Sequence, residues 1–226
     1  MISLSIVIPT LNEGAVIAGA LAHLREIAPE AEIVVSDGGS ADGTVELAAP
    51  LARVLTGPPG RAGQMNRGAA EASGEWLLFL HADTRLPADF KAEIERAQAQ
   101  GYEAGAFRLR IVGRHPLLPV LAWGAGWRTR RRGIALGDQA LFVRRERFQE
   151  WGGFPDLPLM EDYAFTRQLK RQGIRLYLAR RAVETSGRRW DELGFFRVWW
   201  QMQWIQLRFI WGGDAARLRR EYRDVR

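Results

Sequence analysis

Four apolar runs, the first of them β-branched, fall within the first eighty residues, and each leads into a polar or glycine-rich loop. They cover residues 3–9, 33–36, 54–55 and 75–80. Between them the spacing turns helical. Val16, Ile17, Ala20, Leu21 and Leu24 share one face of a helix predicted over 12–27, and residues 44–51 and 64–73 read as two more. Strands alternating with helices pair in parallel through crossovers, so this order predicts an α/β fold with a mostly parallel sheet covered on both faces. Ligands in such sheets sit beyond the carboxyl ends of the strands. Three loops there carry the chemistry: PTLNEG after the first run, SDGGSADGT after the second and HADT after the fourth.

The second half is less regular. Residues 107–112, 140–143 and 174–178 read as strands, and 161–172 as a helix ended by Gly173. Residues 114–127 are apolar but broken by Pro116 and Pro119, and from 193 onward the composition turns aromatic and basic. A chain of 226 residues can bury one full core. It contains no cysteine, which excludes disulfides, thiolate metal sites and a cysteine nucleophile, and suits a cytoplasmic setting. The formal charge of +6 favours anionic partners: a nucleotide, an acidic membrane surface or nucleic acid. Nucleic acid is not expected, because no RNA-binding aromatic strand, zinc-finger spacing or basic helix of clear register is present. The N-terminal run reads as a strand rather than a leader, and no run reaches the roughly 20 apolar residues of a membrane span.

Individually, the polar constellations each admit two readings. His81 and Asp83 stand two apart at a strand end, so their side chains point to one side and can share a ligand, or simply turn into solvent. Asp37 precedes Gly38 and Gly39, where backbone can approach a ligand closely, but an Asp-Gly turn needs the same residues, and the spacing is not that of a dinucleotide fingerprint. Arg61, Asn66 and Arg67 surround a helix start suited to phosphate or a polar base, or form a solvated basic face. Glu161 and Asp162 open a helix, where they serve a site or complement the helix dipole.

Taken in order, SIVIPTLNEG, the Asp37 turn, GRAGQMNRGAA, the strand ending in HAD, GDQALFVRRERF and GGFPDLPLMED resemble family-2 glycosyltransferases of the GT-A fold over roughly residues 2–178. Within that family the combination is most similar to small bacterial glycosyltransferases associated with radical-SAM and selenodomain proteins. The resemblance implies inverting transfer from a nucleotide-diphospho sugar, usually UDP-linked, to a lipid-linked or small-molecule hydroxyl acceptor. It puts Pro9, Thr10, Asn12 and Glu13 in the first nucleotide-contacting loop, and Asp37 with Gly38 at the nucleobase. Arg61 and Asn66 fall where base or phosphate is contacted, and Asp162 matches the general base, with Glu161 beside it. His81, Ala82 and Asp83 occupy the DxD-type motif, whose last aspartate holds the Mg²⁺ or Mn²⁺ that bridges the diphosphate. His81 departs from the common aspartate. An imidazole suits Mn²⁺ better than Mg²⁺, or serves as a hydrogen-bonding group for ribose or phosphate. Arg188 and Arg189, in TSGRRW, are further candidates for the diphosphate.

These readings divide the chain into one domain over 1–190, with a nucleotide-binding half (1–110) and an acceptor half (111–190), and a helical extension over 191–226. In that extension Phe195, Val198, Trp199, Met202, Ile205 and Phe209 share a helical face that Trp200, Trp204 and Trp211 widen. Such a face suits an anionic bilayer, at the inner side of the membrane, or burial against the domain or a second copy of the chain. A non-catalytic nucleotide-sugar-binding or membrane-associated module of the same fold is the alternative to an enzyme.

Overall fold

A computed structural model describes residues 2–222; the last four residues of the 191–226 extension lie outside the described residues. Strands β1 (Leu4–Thr10), β2 (Glu32–Asp37), β3 (Arg53–Thr56) and β4 (Trp76–Phe79) are joined by helices α1 (Ile17–Ile27), α2 (Thr44–Ala48) and α3 (Arg61–Glu71). β1 is paired in parallel with β2 and β4, and β2 in parallel with β3. The sheet continues through β5 (Thr84–Arg85), α4 (Phe90–Ala99), β6 (Ala104–Val112), α5 (Leu118–Arg132), β7 (Phe142–Arg144), α6 (Arg145–Glu150), α7 (Glu161–Arg171) and β8 (Tyr177–Ser186). Its strand order is β3-β2-β1-β4-β7-β6-β8-β5, with β7 antiparallel to both neighbours and β6 parallel to β8. Helices α8 (Arg188–Leu193), α9 (Phe195–Ile210) and α10 (Ala215–Glu221) complete the described chain.

The central strands β1 and β4 are buried almost throughout because both of their faces are covered. Ile6, Ile8, Leu78 and Leu80 point into one layer with α1 and α4, while Val7, Leu77 and Phe79 point into the other with α3 and α7. Gly68 is required in α3: a Cβ there would lie 2.4 Å from Val7 Cγ1, so only glycine lets the helix lie this close to β1. Helix α7 is seated by Phe165 and Leu169, both fully buried. Their burial contributes roughly 1.5–3 kcal/mol each, against about 0.3–1 kcal/mol for an acidic residue at a helix start. Packing, not the dipole, places this helix.

Several elements depart from the sequence expectation. α1 starts at Ile17 rather than at residue 12, because Asn12 takes a left-handed backbone (φ 56°) and the Glu13 carbonyl caps the helix start. The proline-broken segment is a helix, α5: Pro119 falls in its first turn, where no N–H is needed. The last strand, β8, begins at Tyr177 and runs to Ser186 along β6. β5, α4 and α6 were not expected, although Phe90, Ile94 and Ala97 carry a helical period.

Candidate active site

Parallel pairing brings the polar loops to one edge. Thr10 is paired with Asp37 in the β1/β2 ladder, and β4 ends beside them. The loop after β1 is stitched to the loop after β2: Asn12 N–H donates to Ser40 Oγ (2.8 Å), Ala41 N–H to Asn12 Oδ1 (3.0 Å), and Glu13 N–H to Thr44 Oγ1 (2.9 Å). Pro9, at the end of β1, is paired with Ser36, and Gly38 N–H donates to the Thr10 carbonyl. Six of the expected donor-site residues, Pro9, Thr10, Asn12, Glu13, Asp37 and Gly38, thus form one cluster.

Asp37 is only 1% exposed. Its Oδ1 accepts from the N–H groups of Gly39 and Ser40, and its Oδ2 from the hydroxyls of Thr10 and Ser40. Burial pushes this carboxyl up, but the hydrogen bonds outweigh it and leave Asp37 below the ordinary carboxylate range. Asp37 organises the turn. Gln64, which the sequence did not single out, ties the two strand ends together by donating to the carbonyls of Thr10 (2.6 Å) and Ser36 (2.9 Å).

The second group centres on the start of α7. Asp162 is 5% exposed; Gly137 N–H donates to its Oδ2 and Tyr163 N–H to its Oδ1, each at 2.6 Å. His81 reaches the same point. A Cβ on Gly137 would lie 2.9 Å from His81 Nε2 and 3.2 Å from Asp162 Oδ2, so glycine keeps a cradle open between imidazole and carboxylate. Ala82 is buried, and Asp83 is exposed, with a 3.3 Å bond from Thr84 Oγ1. Among the described residues no three His, Asp or Glu side chains converge as an all-protein metal cage. The exposed Asp83 and the Gly137 cradle fit the other kind of site, in which one or two protein ligands hold Mg²⁺ or Mn²⁺ and phosphate oxygens complete the shell.

Four of the expected ligand-contact residues have partners within the protein. Glu161 is 1% exposed and ion-paired with Arg61 Nε, while Arg61 Nη2 stands 3.7 Å from Asp162 Oδ2. Arg61 is thus engaged with both acidic residues at the start of α7. Burial pushes Glu161 up and Arg61 draws it down, with a net value above the ordinary range. Asn66 is a clamp: its amide donates to the Phe154 carbonyl (2.8 Å) and accepts from Phe154 N–H (2.9 Å), pinning the GGF loop that leads to α7. Arg188 and Arg189 engage the C-terminal helices. Arg188 lies 3.6 Å from Glu192, whereas Arg189 bonds Gln201 and stacks 4.1 Å from the Tyr222 ring. Leu159 and Met160 pack with Ile205 and Leu218, so the extension walls the side of the site next to α7.

The loop 137–139 holds what sequence reading passed over. Gln139 is buried; its amide donates to the Phe107 carbonyl, and its oxygen accepts from Arg128 Nη2 (3.2 Å). Asp138, beside it, is half-buried, and its Oδ1 is sealed from solvent without a hydrogen-bond partner. Burial pushes Asp138 up to about 6, opposed by Arg128 and reinforced by Asp162; Arg61 and Asp83 also act on it. The GDQ triplet was the available signal. Among the described residues, Asn12, Ala140 and Met160 are the non-glycine residues with left-handed backbone, and each borders one of these loops. Such strain costs about 1–3 kcal/mol per residue and gathers at functional sites.

Asp138 yields a pH prediction. Its folded value of about 6 lies above the ordinary 3.8. The native state therefore holds this proton more tightly than the unfolded chain, and stability falls as pH rises from about 4 to 6 and stays lowered above. Asp138→Asn removes that loss. In thermal melts with chelator it should gain roughly 2–3 kcal/mol, several degrees in Tm, at pH 8 and nothing at pH 4. Equal melting of variant and parent at pH 8 would contradict the assignment.

The sequence profile of Glycosyl transferase family 2 matches residues 5–144. Succinoglycan biosynthesis protein ExoA of Rhizobium meliloti is 32% identical over 197 residues, 76% of this chain and 59% of that protein. Among solved structures, a mannosyltransferase of Pyrobaculum calidifontis in complex with GDP-Man and Mn²⁺ superposes with a TM-score of 0.70 at 19% identity, covering 95% of this chain and 66% of the other. TarS 1–349 of S. aureus in complex with UDP-GlcNAc gives 0.66 at 20% identity, covering 81% and 58%. The chain spans between 36% and 59% of the length of the curated relatives it matches.

Proposed function

We infer the reaction from family and site together: this chain belongs to glycosyl transferase family 2, and we read it as an inverting enzyme that moves a sugar from a nucleotide-diphospho sugar, UDP-linked, to an acceptor hydroxyl. The observation that carries this reading is the convergence of the β1, β2 and β4 loops with Asp162 at one sheet edge. The stitched loops around Asp37 offer backbone groups to the nucleoside. Asp162, oriented by two N–H donors, takes the proton of the acceptor hydroxyl as its oxygen bonds to the anomeric carbon and the sugar–diphosphate bond breaks. Asp83, with His81 as second candidate, would hold a Mg²⁺ or Mn²⁺ ion, which supplies Lewis-acid stabilisation to the departing diphosphate. The GDP-Man and Mn²⁺ in one similar solved structure, and the UDP-GlcNAc in the other, support this reading.

The same reading includes an anionic bilayer as a partner. α9 buries Phe195, Val198 and Ile205 but exposes Phe196, Trp200, Trp204, Leu207 and Trp211 along one stripe, Trp211 at 79%. Among the described residues no helix is long and apolar enough to cross a membrane, so an exposed aromatic stripe with flanking arginines would lie in the interface. The test is a binding panel of UDP and GDP with Mn²⁺, Mg²⁺ or chelator, run beside sedimentation with phosphatidylglycerol vesicles. UDP binding should weaken at least tenfold in chelator, and His81→Asp should shift the metal preference from Mn²⁺ toward Mg²⁺. No binding of either nucleotide under any condition would favour a non-catalytic module instead.

A further inference from the structure

Strand β6 is open along one edge. It pairs with β8 from Gly105 to Val112, but its pairing with β7 stops at Gly105, and the Gln139 side chain takes the Phe107 carbonyl. Beyond that point, among the described residues, no strand pairs with this edge. A groove of about 720 Å³ lies there, between β6 and α5. Six consecutive residues, Arg108 to Gly113, line it. Side chains alternate between the two faces of a strand, so an unbroken run of lining residues means that the groove follows the backbone edge rather than one face. That run spans roughly 17 Å at ~3.3 Å per residue. The opposite wall is the stripe of α5 from Pro119 to Arg131, about 18 Å at ~1.5 Å per residue.

The two faces of β6 differ in chemistry. Leu109 shares a core cluster with Ala122 and Ala125 of α5, and Ile111 packs against it, so α5 covers that face. Arg108 and Arg110 project from the other face, and both are exposed. On α5 the lining is small at Ala122 and Gly126, aromatic at Trp123 and Trp127, and basic at Arg130 and Arg131. Arg110 is paired with Glu184; among the described residues no carboxylate is paired with Arg108, Arg130 or Arg131. Arginines on an edge strand can serve only to discourage pairing. That role does not account for two indoles on the neighbouring helix that are 71% and 46% exposed. An apolar chain in the groove would cover the indoles but leave the backbone groups of the edge unbonded. A second β6 paired edge to edge would set Arg108 and Arg110 against like charges. An added strand meets every requirement. Its main chain bonds the edge, its apolar side chains meet Trp123 and Trp127, and acidic side chains on its other face meet Arg108 and Arg110.

We propose that an extended segment of a partner protein, with acidic and apolar side chains in alternation, docks in this groove as a strand added to β6. The site does not depend on the transfer reading above. The probe is a fluorescein-labelled heptapeptide that alternates glutamate and valine, followed by anisotropy on the full chain. Three controls accompany it: the same composition in two blocks, a lysine–valine alternation, and the probe with alternate backbone nitrogens methylated. The probe should bind at least tenfold more tightly than any control, and should slow amide hydrogen exchange across residues 106–112 at least tenfold. Gly126→Leu fills the groove at a helical position where a Cβ meets only Leu178 Cδ2, at 3.8 Å. It should weaken the probe at least tenfold while the protein melts no lower than the parent, leucine being the better helix former. Arg108→Gln with Arg130→Gln should weaken the probe equally. The proposal is overturned if the probe does not bind, if the block or methylated peptide binds as tightly, if exchange across 106–112 is unchanged, or if these variants bind as wild type does. Absent peptide binding, loss of sedimentation with phosphatidylglycerol vesicles in Trp123→Gln with Trp127→Gln would assign the face to a membrane. A dimer dissociated by Gly126→Leu would assign it to a second copy of the chain, and either result rejects the peptide.

Discussion

Asp162→Asn is expected to lower the rate of glycosyl transfer by about a hundred- to ten-thousandfold, the span a positioned general base supplies, while the Kd for UDP changes by less than about twofold. Both oxygens of Asp162 accept a backbone N–H, from Gly137 and Tyr163. An amide has the same shape but one acceptor oxygen, so one of those N–H groups faces an NH₂ and loses its partner, at about 1–3 kcal/mol. A melt of the variant therefore belongs beside the kinetics, because a stability loss of that size leaves a domain folded at assay temperature. The cluster around Asp37, proposed to hold the nucleoside, rests on Thr10, Ser40 and Gln64 and not on Asp162, which is why binding is expected to survive. Full turnover by the variant would remove Asp162 from the mechanism.

Arg61→Met is expected to be the most destabilising single change at the site. Glu161 is almost fully buried, and Arg61 is its ion-pair partner. Breaking such a pair from one side strands a charge and costs about 3–5 kcal/mol, whereas replacing both members is often close to neutral. For a chain of this size that is roughly 10 °C in Tm. Arg61→Met with Glu161→Gln should recover most of it, and a double-mutant cycle reads the coupling directly. Transfer should stay impaired in the stable double variant, because Arg61 also stands 3.7 Å from Asp162 and its charge bears on that carboxylate. An Arg61→Met protein that melts with the parent would mean that the pair is not formed in solution.

Much of the first half of the chain, residues 1–110, was legible from the sequence alone. Hydrophobic periodicity and turn chemistry are local properties, so the βαβ order, the three loops at the carboxyl edge and the helix opening at Glu161 could be placed from neighbouring residues. Where local rules were misapplied the chain still held the answer: Pro119 is a first-turn proline, and the period of Phe90, Ile94 and Ala97 marks α4. Side-chain partners are a different matter. Arg61 and Glu161 are 100 residues apart, and Asn66 and Phe154 are 88 apart. Arg61 and Asn66 had read as ligand contacts because residue type alone does not reveal a partner.

Residue identities and their spacing thus determined the layered sheet, the edge on which chemistry gathers and the presence of His81, Asp83 and Asp162 there. Tertiary packing alone decided which of those groups face the cradle at Gly137, which are consumed in pairs, and that Asp138 and Arg128 join them. It also decided that the aromatic stretches at 114–127 and 195–211 cover the core with one face and leave the other bare. The physical reason is that burial, desolvation and ion pairing depend on what arrives across space, and an arginine or tryptophan reads the same in a sequence whether or not anything arrives.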